Sequence, residues 1–433
     1  MRLFGTSGIR AVVDSWLIGL TLMLGLAVGI LNKKVVVGCD TRTSSSAMKH
    51  AVIAGLLAAG VDCYDAGVVP TPTLALATEG FDAGIMITAS HNPPEYNGIK
   101  MINPDGSAFN RQQQQQIETM LVDNSIATVS WDGFKSSKAY PDAVEKHIVK
   151  ILADFPGRFN LKVVLDCDCG AGSVITPQLL QRMGCDVIAM NCNAGGFFPH
   201  AIEPKEDNLG GLMKKVREAD ADLGITHDGD ADRLMAVDDK GRFVSGDKLL
   251  VILAREIEAR KVVSTIDASM AIEEAGFDIV RTSVGDNAIS EELKNGGDFG
   301  GEPSGSWIIP KNSLCPDGIY TAALLVSIAS KKKLSTLADN IAEYPLIRGS
   351  VGSDDIIMQQ LEEALIAALK PQSVSRTDGI KLNLEDGWLL LRASGTEPKI
   401  RLTVEAETQE KAQELYNNSI TLIKEFAAEK VEN

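Results

Sequence analysis

The chain is short of positive charge, of cysteine pairs and of catalytic serine elbows, and each shortage excludes a class of function. Its 433 residues carry 42 Lys and Arg against 58 Asp and Glu, a net charge of −16. No nucleic-acid partner is expected, because phosphate backbones bind basic faces. The seven cysteines include no Cys-x-x-Cys pair, which disfavours a structural zinc site. The chain has no Gly-x-Ser-x-Gly motif, which argues against a serine hydrolase.

Long apolar runs are also scarce, with one exception near the N-terminus. Segment 15–32 carries no charged residue and is near the lower length limit for a membrane span. It contains Gly19, Gly25 and Gly29, and a strand pattern at 34–38 follows, so we predict a helix buried against a sheet and no membrane association. No secretory pattern opens the chain and the thiols are scattered, so we expect a cytoplasmic protein.

Strand and helix patterns alternate along most of the chain and predict an α/β fold with mixed, mostly parallel sheets. The alternation starts anew near Leu161 and near Asp247, which indicates three similar α/β domains. The last part differs, because Glu385-Asp386-Gly387 joins two strand patterns as a hairpin turn and predicts an α+β domain. The predicted domains are 1–150, 151–245, 246–350 and 351–433.

The first motif with chemical potential follows the predicted strand Ala83–Ile87. A loop rich in Asn, Pro and Gly places Ser90 and His91 at the end of this strand, and Lys100 lies ten residues further on. An exposed hydroxyl beside an imidazole suits covalent catalysis. Alone, the motif favours a turn whose side chains satisfy one another over an active site.

The second motif is an acidic loop that follows a strand pattern at 222–226. Asp228, Asp230 and Asp232 recur at every second position, so their carboxylates can converge on one hard cation such as Mg²⁺. An EF-hand is excluded, because its sixth position is Arg233 and its twelfth is Asp239. The alternative is a solvated acidic turn, in which three clustered charges repel one another.

Two further loops carry hydroxyl and cationic side chains. In loop 300–306, Glu302 offers an acceptor and Ser304 a donor, which suits the hydroxyls of a sugar, although this motif alone favours a plain turn. The loop at 392–401 combines backbone amides, hydroxyls and arginines into a possible anion cradle, with a polar hairpin loop as the alternative. Its candidate ligands are Arg392, Ser394, Gly395, Thr396 and Arg401.

Together these four loops resemble those of the α-D-phosphohexomutase superfamily, and the resemblance extends over essentially the full chain. It rests on Thr-Ala-Ser-His-Asn-Pro at 88–93, Asp-Gly-Asp-Ala-Asp-Arg at 228–233, Gly-Glu-Pro-Ser-Gly at 301–305 and Arg-Ala-Ser-Gly-Thr-Glu-Pro at 392–398. The opening Gly-Thr-Ser-Gly-Ile-Arg at 5–10 also fits.

The resemblance implies four domains around a central cleft and an enzyme that moves phosphate between C6 and C1 of a hexose phosphate. Ser90 matches the phosphoserine, which passes its phosphoryl group through a bisphosphorylated sugar. Asp228, Asp230 and Asp232 match the Mg²⁺ ligands, with the Ser90 phosphate as the fourth. The other matches are basic residues near the transferring group (Arg10, Lys100, Arg233), sugar contacts (Glu302, Ser304) and the distal phosphate site (Arg392, Ser394, Gly395, Thr396, Arg401).

For two residues near the matched phosphoserine, side-chain chemistry predicts a role in addition to what the resemblance implies. Lys100 is a candidate general acid/base if burial lowers its pKa. His91 is expected to orient the loop in preference to carrying protons. Some family members have histidine directly after the sugar loop, where this chain has Ser306 and Trp307, so an acid/base role at that position is in doubt.

The implied partner is a small hexose phosphate, with glucose or glucosamine 1,6-bisphosphate as activator and intermediate. The opening motif and the phosphate loop favour the glucosamine phosphate branch, and glucose or mannose phosphate is the alternative. Pro303 in the sugar loop does not settle this choice. A Mg²⁺-dependent sugar phosphatase is more distant, because a hydrolase needs no second phosphate site. A monomer or homodimer is expected.

Overall fold

The computed structural model of the protein describes residues 3–5, 8–123, 125–352, 358–393 and 399–429. The chain divides into two compact units, each built from helices and sheets, which confirms the predicted α/β class. Unit 1 comprises Met1–Arg260 and Gly285–Asn340, and unit 2 comprises Lys261–Val284 and Ile341–Asn433. The four predicted domain ranges stay a prediction, and two of their boundary residues, Lys150 and Ser350, lie inside a helix and a strand.

The first sheet of unit 1 is mixed. Its strands are β1 Ile9–Val12, β2 Lys34–Cys39, β3 Asp62–Val68, β4 Ala83–Ile87, β5 Tyr96–Ile102 and β6 Lys138–Ala139, in the order β1-β5-β4-β2-β3-β6. Strands β4, β2, β3 and β6 pair in parallel, whereas β5 and β1 are added antiparallel at one edge. The loop predicted after β4 therefore ends at β5, and Lys100 lies in a strand.

Five helices accompany this sheet, namely α1 Ser15–Leu31, α2 Ser45–Ala58, α3 Thr71–Thr78, α4 Arg111–Val122 and α5 Ala143–Asp154. Apolar side chains of β2, β4, α1 and α2 form one buried core. The predicted strands at 34–38 and 83–87 and the predicted first helix are confirmed. No described helix combines the length and the apolar character that crossing a membrane requires.

The second sheet of unit 1 is also mixed. Its strands are β7 Lys162–Asp166, β8 Asp186–Met190, β9 Leu223–His227, β10 Leu234–Val237 and β11 Phe243–Val244, in the order β11-β10-β9-β7-β8. Helices α6 Thr176–Arg182 and α7 Gly210–Ala219 lie between its strands in the chain, and α8 Gly246–Glu256 follows β11. Helix α6 begins at Thr176, and Pro177 suits its first turn, where no N–H is needed.

Unit 2 receives a short middle segment and the C-terminal part of the chain. The middle segment contains β12 Lys261–Thr265, α9 Ala271–Glu274 and β13 Asp278–Thr282, and its two strands pair in parallel. The chain then returns to unit 1 and forms α10 Asp286–Leu293, β14 Phe299–Glu302, β15 Ser306–Ile308, α11 Gly318–Lys331 and α12 Leu334–Asp339. Strands β14 and β15 form an antiparallel hairpin.

The C-terminal part of unit 2 is an antiparallel sheet with two helices, as predicted. The strands are β16 Leu346–Gly352, β17 Ser373–Ser375, β18 Ile380–Asn383, β19 Gly387–Ala393 and β20 Lys399–Ala406, in the order β16-β20-β19-β18-β17. The helices are α13 Met358–Leu369 and α14 Gln409–Glu429. Apolar side chains of both helices and of β18, β19 and β20 form a buried core on one face of the sheet.

Two glycines allow α1 and α2 to cross at close range. A Cβ on Gly25 would lie 2.3 Å from the carbonyl oxygen of Val52, and one on Gly55 would lie 2.2 Å from that of Leu22. Gly19 is also in α1, but a Cβ there would meet no atom within 4 Å. The two backbones therefore touch at Gly25 and Gly55 and leave open space at Gly19.

We expect Gly25→Ala and Gly55→Ala each to lower the free energy of unfolding by about 2–3 kcal/mol, because overpacking forces backbones apart. Gly19→Ala is the matched control and should raise stability by up to about 1 kcal/mol, since alanine is the better helix former. Urea unfolding of the three variants measures both effects. Equal stability of Gly19→Ala and Gly25→Ala would contradict the close crossing.

Candidate active site

Ser90 lies directly beyond β4 and is buried, with 1% of its surface exposed, so the predicted exposed serine is wrong. The acidic loop covers Ser90, and Oγ of Ser90 donates a hydrogen bond of 2.7 Å to Oδ2 of Asp228. Its Oγ also lies 3.2 Å from Nδ1 of His91. The backbone of Ser90 has a φ of 51°, in the left-handed region that side-chain-bearing residues rarely adopt.

Gly229 permits this close approach of the two loops. A Cβ at that position would lie 2.6 Å from the carbonyl oxygen of Ser90. On its other side, the carbonyl oxygen of Gly229 accepts a hydrogen bond of 2.8 Å from the backbone N–H of Ala171. The acidic loop is thus held between the serine loop and the segment that follows β7.

His91 is neutral in this setting. Burial, together with the positive charges of Arg233 and Arg10, lowers its pKa to about 2. A neutral imidazole can exchange a hydrogen bond with the Ser90 hydroxyl without adding positive charge to the site. This state supports the predicted orienting role for His91, which stays a prediction.

The three aspartates lie in the turn between β9 and β10, and all are buried. One carboxylate oxygen from each lies within 4.8 Å of the others. Burial and then the neighbouring carboxylates raise the pKa of Asp228 and of Asp232. Asp230 behaves differently, because Lys100 outweighs burial and lowers its pKa. Because the three buried carboxylates repel one another, a cation bound among them is favoured.

The residues present fit a divalent metal ion. Oδ1 of Asp230 and Oδ1 of Asp232 are buried and have no hydrogen-bond partner, which is costly for an acceptor unless a ligand satisfies it. Oxygen donors alone suit Mg²⁺ better than zinc. Among the described residues, Asp228, Asp230 and Asp232 are the one group of His, Cys, Asp and Glu with this spacing.

Lys100 lies in strand β5 of the first sheet and supplies positive charge to the three aspartates. Its Nζ lies 2.7 Å from Oδ2 of Asp230 and 2.5 Å from Oδ2 of Asp232. Burial works against the charged ammonium, but Asp230 and Asp232 outweigh it and raise the pKa of Lys100. The lowered pKa considered from the sequence is therefore wrong for this arrangement, and Lys100 keeps its proton.

Two arginines add charge on either side of the serine loop. Arg10 lies in β1, opposite Gly98 of β5, and its Nη1 donates a hydrogen bond of 3.0 Å to Oδ1 of Asn92. The backbone N–H of Arg233 donates to Oδ1 of Asp228 at 3.2 Å. Burial disfavours the charge of Arg233, but Asp228 and Asp232 outweigh it and raise its pKa, so this side chain stays cationic.

The predicted sugar loop is mostly strand. Gly300, Gly301 and Glu302 belong to β14 and Ser306 to β15, so only 303–305 form the turn. The alternation of glycines with polar residues obscured the strand, because glycine is rare in strand interiors. Oε2 of Glu302 accepts a hydrogen bond of 3.2 Å from Oγ of Ser304, so the two side chains are in contact, and their role as sugar contacts stays a prediction.

Backbone contacts place this turn beside the acidic loop within unit 1. Arg233 and Ser306 form an antiparallel bridge, and the N–H of Leu234 donates to the carbonyl oxygen of Gly305 at 2.9 Å. Trp307 is fully buried and donates its indole N–H to the carbonyl oxygen of Leu234 at 2.8 Å. Trp307 is thus a packing residue that anchors the turn.

The candidate anion site lies on the sheet of unit 2. Arg392 of β19 and Arg401 of β20 are directly opposite each other. Both line a cavity of about 350 Å³, together with Asp267. Nη2 of Arg392 lies 2.7 Å from Oδ2 of Asp378. The other predicted members of this site, Ser394, Gly395 and Thr396, lie outside the described residues, as do Thr6 and Ser7 of the opening motif.

Sequence reasoning missed two residues at these sites. Arg348 of β16 lines the anion cavity, two positions from Ser350, the residue that pairs with Arg401. Only the register between distant strands reveals it. Thr71 hydrogen-bonds through Oγ1 to Oδ2 of Asp230. Its signal was available, because it follows β3, a strand parallel to its neighbours in the sheet, and polar groups at the carboxyl ends of such strands meet at one edge.

Sequence models of one family match the chain in four consecutive stretches. They are described as phosphoglucomutase/phosphomannomutase α/β/α domains I, II and III and the C-terminal domain. The matched residues are 1–128, 138–241, 245–344 and 346–418, respectively. The order of the matches is that of the four predicted loops.

Individual relatives cover nearly the whole chain. It is 46% identical to a probable phosphoglucosamine mutase of Methanocella arvoryzae, over 98% of both chains. It is also 46% identical to a probable phosphoglucosamine mutase of Methanosarcina acetivorans, over 98% of this chain and 99% of that one. A solved phosphoglucomutase/phosphomannomutase family protein of Burkholderia thailandensis matches with a TM-score of 0.86 and 27% identity, over 98% of both chains.

Proposed function

Because the chain belongs to the phosphoglucomutase/phosphomannomutase family, we propose that it is a phosphohexomutase that interconverts glucosamine 6-phosphate and glucosamine 1-phosphate. The observation that carries the reaction type is the buried Ser90 hydroxyl, which donates to Asp228 in a cluster of three aspartates. The choice of glucosamine phosphate rests on the described activity of the archaeal relatives.

The proposed reaction uses Ser90 as the carrier of a phosphoryl group. Phosphoserine gives this group to a free hydroxyl of the hexose monophosphate, and the resulting 1,6-bisphosphate reorients and returns its other phosphate to Ser90. Phosphoryl transfer depends mainly on positioning and on neutralising charge. Lys100, Arg10 and Arg233 are the cations proposed to serve here, and the raised pKa of Lys100 favours charge neutralisation over proton abstraction.

Asp228, Asp230 and Asp232 are the residues proposed to hold Mg²⁺, with a phosphoryl oxygen on Ser90 as a further ligand. When bound, the ion withdraws negative charge from the transferring phosphoryl group. The neutral His91 keeps the serine loop oriented in this proposal. Burial of the site excludes water, which otherwise competes with the sugar hydroxyl for the phosphoryl group.

Substrate binding is proposed to use two separate sets of residues. Glu302 and Ser304 would read hydroxyls of the sugar, and the arginines of the unit 2 cavity would bind the phosphate that is not being transferred. Arg pairs well with phosphate, because its planar guanidinium donates two parallel hydrogen bonds. Ser394, Gly395 and Thr396 complete this phosphate site in the proposal. The division of the chain into four domains is proposed as well.

The remaining expectations concern the surroundings of the enzyme. Glucose or glucosamine 1,6-bisphosphate is the proposed activator, since it can transfer one of its phosphoryl groups to Ser90 and leave as the hexose monophosphate. All seven cysteines are free thiols, which supports a reducing compartment such as the cytoplasm. We propose a monomer or a homodimer whose partner molecules are small hexose phosphates.

The test of substrate choice is a mutase assay with Mg²⁺ and a trace of sugar bisphosphate. The values of kcat/KM for glucosamine 6-phosphate, glucose 1-phosphate and mannose 1-phosphate are compared on the same preparation. A clear preference for the amino sugar is expected. Equal or better turnover of glucose and mannose phosphates would replace the proposed substrate and leave the reaction type intact, whereas release of inorganic phosphate alone would indicate a phosphatase.

The proposed phosphate site predicts the effect of removing its arginines. Arg392→Ala and Arg348→Ala should each raise KM for the hexose phosphate by roughly 10–100-fold, because each removes charge-assisted hydrogen bonds to phosphate. The control is Arg376→Ala, since Arg376 is an exposed arginine of the same unit that pairs with Glu362 outside the cavity. A KM for Arg392→Ala equal to that of the control would reject the site.

A further inference from the structure

Beneath the serine loop lies a buried arginine, Arg42, that no step of the proposed reaction uses. Each of its five guanidinium N–H groups has an acceptor, which is unusual for one side chain. Nη1 donates to the carbonyl oxygens of Pro93 and Tyr96, at 2.7 and 2.9 Å. Nη2 donates to those of Ser90 and Asn92, at 2.8 and 2.6 Å.

The fifth N–H joins Arg42 to an equally buried acid. Nε of Arg42 lies 3.2 Å from Oδ2 of Asp40. Asp40 also accepts a hydrogen bond of 2.7 Å from Oγ1 of Thr88, which itself accepts one of 2.9 Å from the backbone N–H of Ser90. The pair thus holds the serine residue from both sides, through its carbonyl oxygen and, by way of Thr88, through its N–H.

The backbone of Ser90 needs such support. Its φ of 51° is unfavourable for a residue with a side chain and persists only where the surroundings impose it. This conformation directs Oγ toward Asp228, at 2.7 Å. A Phe198 ring covers the guanidinium of Arg42, with the ring centroid 5.3 Å from Cζ, so Arg42 has little freedom to move.

We propose that Arg42, paired with Asp40, is a positioning residue that fixes Ser90 in the one orientation in which its oxygen can carry the phosphoryl group. The inference rests on the proposed function and deepens it. Lysine cannot replace Arg42, because an ammonium has three donors around one atom, whereas four carbonyl oxygens and a carboxylate require a planar fork. The role concerns the attacking and leaving oxygen, so it acts on kcat more than on KM.

The experiment compares Arg42→Lys with a control that breaks a different ion pair of unit 1. Lys49→Met is that control, because Lys49 is buried and its ion pair, with Asp65 at 2.8 Å, does not involve the serine loop. Arg42→Lys should lower kcat by at least about 100-fold, as expected for a reacting group displaced by about 1 Å. The KM of Arg42→Lys should stay within about threefold of the wild-type value, and the kcat of Lys49→Met should stay within about threefold of the wild-type kcat.

Amide hydrogen exchange gives a second readout that needs no activity. The amides of residues 88–98 should exchange at least about tenfold faster in Arg42→Lys than in the wild type, because the carbonyl contacts that hold the loop are lost. In Lys49→Met the same amides should exchange at the wild-type rate. Added methylguanidinium should restore part of the kcat of Arg42→Ala, since it supplies the missing fork.

Several results would overturn the inference. A folded Arg42→Lys enzyme with wild-type kcat and wild-type exchange at 88–98 excludes a positioning role, and so does an equal loss of kcat in Lys49→Met. If Arg42→Lys does not fold, Thr88→Val takes its place, because it removes the link from Asp40 to the N–H of Ser90. A wild-type protein without mutase activity would reject the proposed function, and the exchange experiment would still decide whether Arg42 holds the loop.

Discussion

Ser90→Ala is expected to abolish mutase turnover, with a loss in kcat of at least about 10⁴-fold. The methyl group of alanine cannot form the phosphoester through which the proposed reaction passes, so the variant cannot carry the phosphoryl group. Incubation with glucose 1,6-bisphosphate should phosphorylate the wild type and leave the variant unmodified, as judged by intact-protein mass spectrometry. Substrate binding should change little, because the sugar and phosphate contacts are elsewhere.

Folding of the variant is checked separately, since Ser90 is buried and bonds to Asp228. Ser130→Ala is a suitable control, because Ser130 is exposed and bonds only locally to Asp132. Both variants should unfold within about 1–2 kcal/mol of the wild type, the usual cost of one lost hydrogen bond. Normal turnover in folded Ser90→Ala would reject Ser90 as the phosphoryl carrier.

Asp230→Asn is expected to lower kcat by about 10²–10³-fold and to raise the Mg²⁺ concentration needed for half-maximal activity. The amide keeps the shape of the side chain but removes a negative charge from the cluster, and with it an oxygen that a hard cation requires. Electron paramagnetic resonance of Mn²⁺, used in place of Mg²⁺, measures metal binding without the reaction, and the variant should bind this ion more weakly than the wild type.

The matched control is Asp238→Asn. Asp238 is also buried and lies just beyond β10, and its carboxylate pairs with Arg242, which is not part of the acidic loop. Its replacement should lower stability while the Mg²⁺ dependence stays unchanged. An unchanged Mg²⁺ requirement in Asp230→Asn, combined with full activity, would show that the three aspartates serve the structure alone.

Sequence patterns predicted the periodic elements well, because their signals are local. The strands at 34–38 and 83–87 and the first helix, for example, follow from runs of apolar residues and were found where expected. The acidic loop was also readable, since alternating aspartates converge in any tight turn that follows a strand. Its three carboxylates do lie together in the structure.

Features that depend on pairing between distant segments could not be predicted in this way. Lys100 was placed after a loop, but it pairs with Met86 across β4 and β5, and this register brings it to the aspartates. The pKa of Lys100 is raised by that contact, which outweighs the lowering effect of burial. Arg348 was overlooked for the same reason, because one arginine in a strand carries no sign of the partners that the sheet gives it.

The division of the chain into units has a consequence for its synthesis on the ribosome. Unit 1 requires 285–340, which carries the turn that pairs with Arg233, but 261–284 is made first and belongs to unit 2. That earlier segment must wait for 341–433 before its own unit can close. Unit 1 can therefore not be completed before residue 340 has been made, and unit 2 cannot be completed before the C-terminal part of the chain has followed.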